Sequence, residues 1–366
     1  MMFRLMTLLN IALMKKHNFY SGPSILPRSV FEEASQAVMD LNGSGLSILE
    51  ISHRSDAFLE IITTTKSLIR DLLQVPQTHD ICFLPGGGSY HFMQVPMNLL
   101  RQKAAYLNTG VWASKAIEEA TRFGNTVVVA SSENNQFRHI PRDYSIPADA
   151  DYFHITSNNT IYGTQLKQFP ESTVPLVCDM SSDILSRRLD VKQFALIYAG
   201  AQKNIGAAGC SVVIADRSVL NKTGRNIPTI LNYETHFKYD SLFNTPPVFA
   251  VYVCMLVMKW LKEVGGVDVI ERRNVEKAGL LYSAIDSSNS FYGTVAKEDR
   301  SLMNVCFRLK DEQRESHFLE LCKSAGIVGV KGHRITGGFR ASLYNAMPFD
   351  SVKVLADVIR QFDLTS

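Results

Sequence analysis

The sequence predicts an α/β fold, a large domain with a mostly parallel sheet covered by helices and beside it a smaller α+β domain. Three observations carry this expectation. The chain has 366 residues, of which 46% are hydrophobic, enough for a large core and two domains. From about residue 28, short apolar runs alternate with helix-patterned stretches, the order that parallel strands joined by helical crossovers require. Beyond about residue 265 the texture changes to a long charged helix, a strand, a helix, two strand-like pieces and a closing helix.

Taken in order, "MMFRLMTLLNIALMKK" has a weak signal-like look, but only Arg4 precedes its apolar part and no small-residue cleavage site follows. Residues 1–13 are therefore read as a non-native or upstream-start extension, with Met14 able to begin the chain. "PRSVFEEASQAVMDL" has helical spacing after Pro27, and "DICFLPGGG" is a buried strand running into a glycine turn. "SYHFMQVPMNLL" is helical in part, and "VWASKAIEEATRFG" is a crossover helix. "KAAYLNTG", "TVVVASS", "DYFHITSNN", "TVPLVCDMSS", "FALIYAG" and "CSVVIAD" are strands. "VFAVYVCMLVMKWL" falls short of the ~18 residues a membrane span needs and contains Lys259, so it is a buried helix. The expected division is a large domain over 28–264 and a small one from 14–27 with 265–366, the crevice between them being the default ligand site.

The formal charge of +3 comes from balanced acids and bases without long like-charge blocks, which gives no reason to expect nucleic acid or membrane partners. Cys82, Cys178, Cys210, Cys254, Cys306 and Cys322 are scattered without a CxxC pair, which fits reduced thiols and a cytoplasmic setting. The histidines do not cluster with them at zinc-ligand spacing, and no metal site is expected.

The most unusual stretch is "FALIYAGAQKNIGAAGCSVVIAD", 194–216, in which one lysine, Lys203, sits inside a small-residue loop between two apolar strands. The surrounding glycines and alanines let something approach the backbone closely. "VPLVCDMSSDIL" is another apolar strand, ending in Asp179. A lysine amine with an acidic partner is what pyridoxal 5'-phosphate demands, the amine for a Schiff base and the acid for its pyridine nitrogen. "PGGGSYH" offers free backbone N–H groups at a helix start for the phosphate. Trp112, just past a strand end, can stack on a flat ring.

Together, "NFYSGPSILP", "ISHRS", "PGGGSYHFMQVPMN", "DMSSDILSR", "IYAGAQKNIGAAG", "FNTPPVFAVY" and "KGHRITGGFRASLYNAMP" resemble the successive motifs of the phosphoserine aminotransferase family, class-V pyridoxal-phosphate enzymes of the type I aminotransferase fold. The resemblance covers nearly everything after Met14. It implies that Lys203 is the Schiff-base lysine, that Asp179 partners the pyridine nitrogen, and that Trp112 stacks on the ring. It further implies that Thr160 binds near the phenolic oxygen, that Gln202, Gly88 and Ser89 hold the phosphate, and that Asn244 and Thr245 reach the phosphate of a neighbouring subunit. The active unit is then a homodimer with shared active sites. A substrate carrying two anionic groups needs two cationic docks, which guanidinium groups supply. In the family pattern Arg340 takes the α-carboxylate; Arg54 and Arg334, with His53 and His333, take the phosphate or the glutamate side chain, and Ser21 lines the glutamate site.

The implied reaction transfers the amino group of L-glutamate to 3-phosphohydroxypyruvate, giving O-phospho-L-serine and 2-oxoglutarate, ping-pong through pyridoxamine phosphate. The family also aminates 3-hydroxy-2-oxo-4-phosphobutanoate. The chain departs from the pattern at Ser89, where some members have Arg, and at His91, where Gln is frequent. These departures are the support for an alternative reading, a catalytically impaired cofactor-binding homodimer with a structural or regulatory role.

Overall fold

The computed structural model describes residues 16–364. The chain therefore leaves the proposed extension over 1–13 outside the described residues. The strand β1 (His17–Asn18) opens the described chain, followed by helices α1 (Arg28–Met39) and α2 (Asp56–Leu73). Helix α2 is not among the elements expected from the sequence. Its run of Thr63, Thr64 and Thr65 weakens local helix preference, and the helix is held instead by its ends and its buried face. Ser55 caps it by accepting the Phe58 N–H, Gln74 ends it in the left-handed region, and Phe58, Ile61, Ile62, Ile69 and Leu73 are buried.

The strands β2 (His79–Pro85), β3 (Lys103–Asn108), β4 (Asn125–Ser131), β5 (Tyr152–Thr156), β6 (Leu176–Asp179), β7 (Leu196–Gly200) and β8 (Cys210–Asp216) fall where the apolar runs predict them. They form one seven-stranded sheet in the order β2-β8-β7-β6-β5-β3-β4. From β4 to β7 neighbouring strands run parallel, while β8 is antiparallel to both β7 and β2. Two reversals restore direction, so β2 points the same way as the parallel block. The glycine turn after β2 thus opens on the same edge as the carboxyl ends of β5, β6 and β7, where ligands collect in open α/β sheets.

Helices α3 (Tyr90–Leu99), α4 (Val111–Ala120), α5 (Tyr233–Lys238) and α6 (Val248–Glu263) complete the layers on the sheet. The apolar run starting at residue 248 is indeed a buried helix: ten of the α6 residues, from Ala250 to Leu261, are out of solvent, among them Tyr252, Met255 and Met258. No helix among the described residues is long and apolar enough to cross a membrane.

After α6 come α7 (Gly266–Asp286), β9 (Phe291–Gly293), β10 (Asn304–Leu309), α8 (Glu315–Ser324), β11 (Ile327–Val328), β12 (Phe339–Ser342) and α9 (Phe349–Leu364). β12, β10 and β9 make a three-stranded antiparallel sheet. Its own core gathers Phe307, Phe318, Phe339 and Phe362 around Phe291, with Phe19 in the same cluster. β1 pairs in parallel with β11, tying the start of the described chain to this second core. From there residues 19–24 cross to the sheet edge: Ser24 donates its N–H to the Gln202 carbonyl at 3.0 Å and its hydroxyl to the Lys203 carbonyl at 3.1 Å.

Candidate active site

Lys203 lies three residues beyond β7, in a turn closed by the Lys203 and Gly206 N–H groups donating to the Ala201 carbonyl. Its side chain is 8% exposed and its Nζ donates to Thr160 Oγ1 at 2.7 Å. Burial pulls the amine down to about 8; Arg340 adds to the fall, and Asp179 and Asp183 oppose it. Asp179 ends β6 and is 6% exposed, with its Oδ1 accepting the Ser181 N–H at 2.9 Å. Burial raises its pKa, against the stabilising hydrogen bonds from Ser181 and the charge of Lys203.

These two groups line one pocket. Gly88, Ser89, Trp112, Thr160 and Gln202 also line it. The sequence-derived cofactor residues on this wall are thus brought together by the structure. Gly88 is required by space: a Cβ there would lie 2.7 Å from Ser181 Oγ. The Gly88 and Ser89 N–H groups, at the start of α3, have no acceptor among the described residues, which leaves them free for an anion. Thr156 Oγ1 and Trp112 Nε1 are buried without a partner. A flat, phosphate-bearing heteroaromatic ring fits this donor set: free amides at a helix start for the phosphate, a buried acid and amine for the ring, and an indole on the wall.

Arg340, on β12, reaches the same place from the second core. Its Nη1 donates to the Thr160 carbonyl at 3.1 Å and its Nη2 to Ser21 Oγ at 2.7 Å, while Nε is buried without a partner. Ser21 is fixed in turn by Tyr344, whose hydroxyl donates to the Ser21 carbonyl at 2.9 Å. His333 is half-buried near Arg340; burial lowers its pKa, and Arg340, Arg334 and Lys115 act in the same sense. Arg334 is exposed.

The remaining predicted residues do not line this pocket in the single chain. Arg54 is exposed, and its Nε lies 3.4 Å from His53 Nε2 on the approach to α2. Asn244 donates to the Thr245 carbonyl at 3.3 Å in the segment before α6. Thr156, Asn158, Ser181 and Ser182 line the pocket and were not singled out from the sequence. Position was the available signal, because all four stand at or just past the carboxyl ends of β5 and β6.

His91 belongs elsewhere. Its departure from the family pattern lies away from the pocket wall. It is fully buried on α3, with Nδ1 2.8 Å from the Tyr233 hydroxyl and Nε2 2.8 Å from Ser211 Oγ, and it stacks on Tyr198. Burial lowers its pKa to about 3, so it is a neutral core residue. Ser89 is on the wall, where its backbone amide is independent of its side chain.

Comparison with known proteins follows this geometry. The family profile described as Aminotransferase class-V matches residues 17–355. The phosphoserine aminotransferase of Bacteroides thetaiotaomicron is 53% identical over 352 residues, covering 96% of this chain and 99% of that protein. That of Flavobacterium psychrophilum is 53% identical over 353 residues, with 96% and 99% covered. Among solved structures, the phosphoserine aminotransferase from Bacillus circulans subsp. alkalophilus superposes with a TM-score of 0.93 at 42% identity, covering 96% of this chain and 99% of that one. The PLP-bound phosphoserine aminotransferase from Trichomonas vaginalis gives 0.91 at 34%, covering 94% and 100%.

Proposed function

The chain belongs to the class-V aminotransferase family, and from that premise we infer that it transfers the amino group of L-glutamate to 3-phosphohydroxypyruvate, forming O-phospho-L-serine and 2-oxoglutarate with pyridoxal 5'-phosphate as cofactor. The observation that carries this reading is the meeting, in one pocket, of Lys203, Asp179 and unpartnered N–H groups at the start of α3, with Arg340 beside them.

When bound, the cofactor supplies an aldehyde for amine linkage and a cationic ring that draws electrons from the substrate α-carbon. Lys203 would supply the amine for that linkage and would serve as the base and acid for a proton at the α-carbon, a task suited to an amine whose pKa burial brings toward neutrality. Asp179 would hold the proton on the pyridine nitrogen, and Trp112 would pack against the ring. Thr160 steadies the Lys203 amine through its hydroxyl and Arg340 through its carbonyl. Gly88, Ser89 and Gln202 hold the phosphate. Arg340 takes the α-carboxylate, oriented by Ser21, and His333 and Arg334 take the distal anion.

The active unit in this reading is a homodimer. Support comes from Asn244 and Thr245, which carry suitable donors yet do not line the pocket of their own chain. A large domain over 28–264 suits the two clusters on the seven-stranded sheet, and a small one from 14–27 with 265–366 suits the third. The cytoplasm suits six free, buried thiols. The impaired alternative loses its support once His91 lies in the core and Ser89 needs only its amide.

A half-reaction assay tests the whole reading. Glutamate should bleach the visible absorbance of the holoenzyme, and 3-phosphohydroxypyruvate should restore it far better than its unphosphorylated counterpart. Absorbance indifferent to both substrates sinks the reading.

A further inference from the structure

Lys277 stands in the middle of α7, 2% exposed, with no carboxylate partner among the described residues. A buried ammonium without an acid is costly, and its amine is pulled down to about 7 by burial, with Arg273 adding to the effect. Its Nζ donates instead to three successive carbonyls, Leu343 at 3.1 Å, Tyr344 at 2.8 Å and Asn345 at 3.5 Å. These belong to the turn that leaves β12, the strand of Arg340.

Two hydrogen-bonded lines lead from that turn into the site. The Tyr344 hydroxyl donates to the Ser21 carbonyl, and Ser21 Oγ accepts from Arg340 Nη2. On the other side, the Asn345 N–H donates to Asn204 Oδ1 at 3.0 Å, and Asn204 is the residue after Lys203. One turn of α7 earlier, Asn274 donates to the Asn345 side chain at 2.9 Å and to the Ser186 carbonyl at 3.1 Å, anchoring the same turn to the segment after β6. Three carbonyls gathered on one buried amine fix a backbone conformation that apolar packing would leave looser.

We propose that Lys277 is a positioning residue for substrate: by gathering the carbonyls of 343–345 it sets the placement of Arg340 relative to Lys203, and so the fit of a substrate carboxylate. The proposal rests on the roles inferred above for Arg340 and Lys203.

The test compares wild-type and Lys277→Met holoenzymes. Wild-type turnover of glutamate with 3-phosphohydroxypyruvate is measured first; its absence would indict the functional reading rather than this one. The unreactive dicarboxylate glutarate then serves as a probe of the carboxylate dock by calorimetry. In Lys277→Met, the glutarate Kd and glutamate KM should both rise about tenfold while kcat stays within about twofold and the cofactor absorbance is unchanged. Lys277→Gln, which keeps a donor, should give a smaller rise of the same kind and serves if the Met variant does not fold. Glutarate affinity within twofold of wild type in folded Lys277→Met, or in Lys277→Gln where the Met variant does not fold, overturns the proposal, as does a fall in kcat with Kd and KM unmoved.

Discussion

In the role proposed for it, Lys203 has to be a nucleophile and a proton carrier, and both tasks fail if it stays fully protonated. Its burial answers this by lowering the amine to about 8. Attachment of pyridoxal phosphate to the cofactor-free chain should therefore quicken with pH around a midpoint near 8, followed by absorbance; a midpoint near 10.5 would contradict the buried environment. The linkage has a definite sign. The unfolded lysine, near 10.5, holds its proton more tightly than the folded one, so this residue subtracts stability below about pH 8 and ceases to do so as pH passes 10.5. Cofactor-free Lys203→Met should thus be more stable than wild type at pH 7, by up to ~3 kcal/mol in denaturant titrations, with the gap closing at alkaline pH. In the holoenzyme comparison, Asp179→Asn should retain cofactor and lose turnover by roughly 10²–10³-fold in steady-state assays, the size of a lost preorganised charge interaction. Lys203 and Asp179 were legible in the sequence because each interrupts an apolar strand context with a charge. Thr156, Asn158 and Ser182 were not, since small polar residues at strand ends serve equally well as ordinary caps.

At the level of elements, the sheet strands were legible because runs such as "VVV" and "LIY" have no other stable home. Helix α2 was hidden by its threonines and is stabilised by packing on α6, a relation that spacing does not announce. The loop carrying Lys203 packs against α6 as well. A Cβ at Gly206 would lie 2.9 Å from Cys254 Sγ and 3.1 Å from that residue's backbone. Gly206→Ala should therefore cost about 1–3 kcal/mol in chemical denaturation, because the loop or the helix must shift. Helix α3 divides its work between its start, which faces the pocket, and His91, which faces the core. His91→Leu would leave the hydroxyls of Tyr233 and Ser211 without their ring partner, for a loss of about 2–4 kcal/mol. Its kcat should stay within about twofold of wild type, the outcome that separates a core role from a phosphate role.

For the whole molecule, the sequence reads as two bodies of different texture; the buried apolar residues form two clusters on the seven-stranded sheet and a third built on phenylalanines. What no single chain can announce is which side chains cross to a neighbour. On the proposed homodimer with shared sites, mixing Lys203→Ala subunits with Asn244→Ala subunits should recover activity that neither variant has alone, since one site of the mixed pair would be intact. Failure to recover it, with subunit exchange verified by mass spectrometry, would argue for self-contained sites. The six buried thiols give the molecule an internal clock of another kind. Burial raises the pKa of Cys82, Cys306 and Cys322 to about 12, so iodoacetamide finds no thiolate there until the polypeptide opens. Cys178, Cys210 and Cys254 belong to the sheet core and Cys322 to the phenylalanine core. The order in which alkylated peptides emerge during slow denaturation would therefore reveal which half yields first.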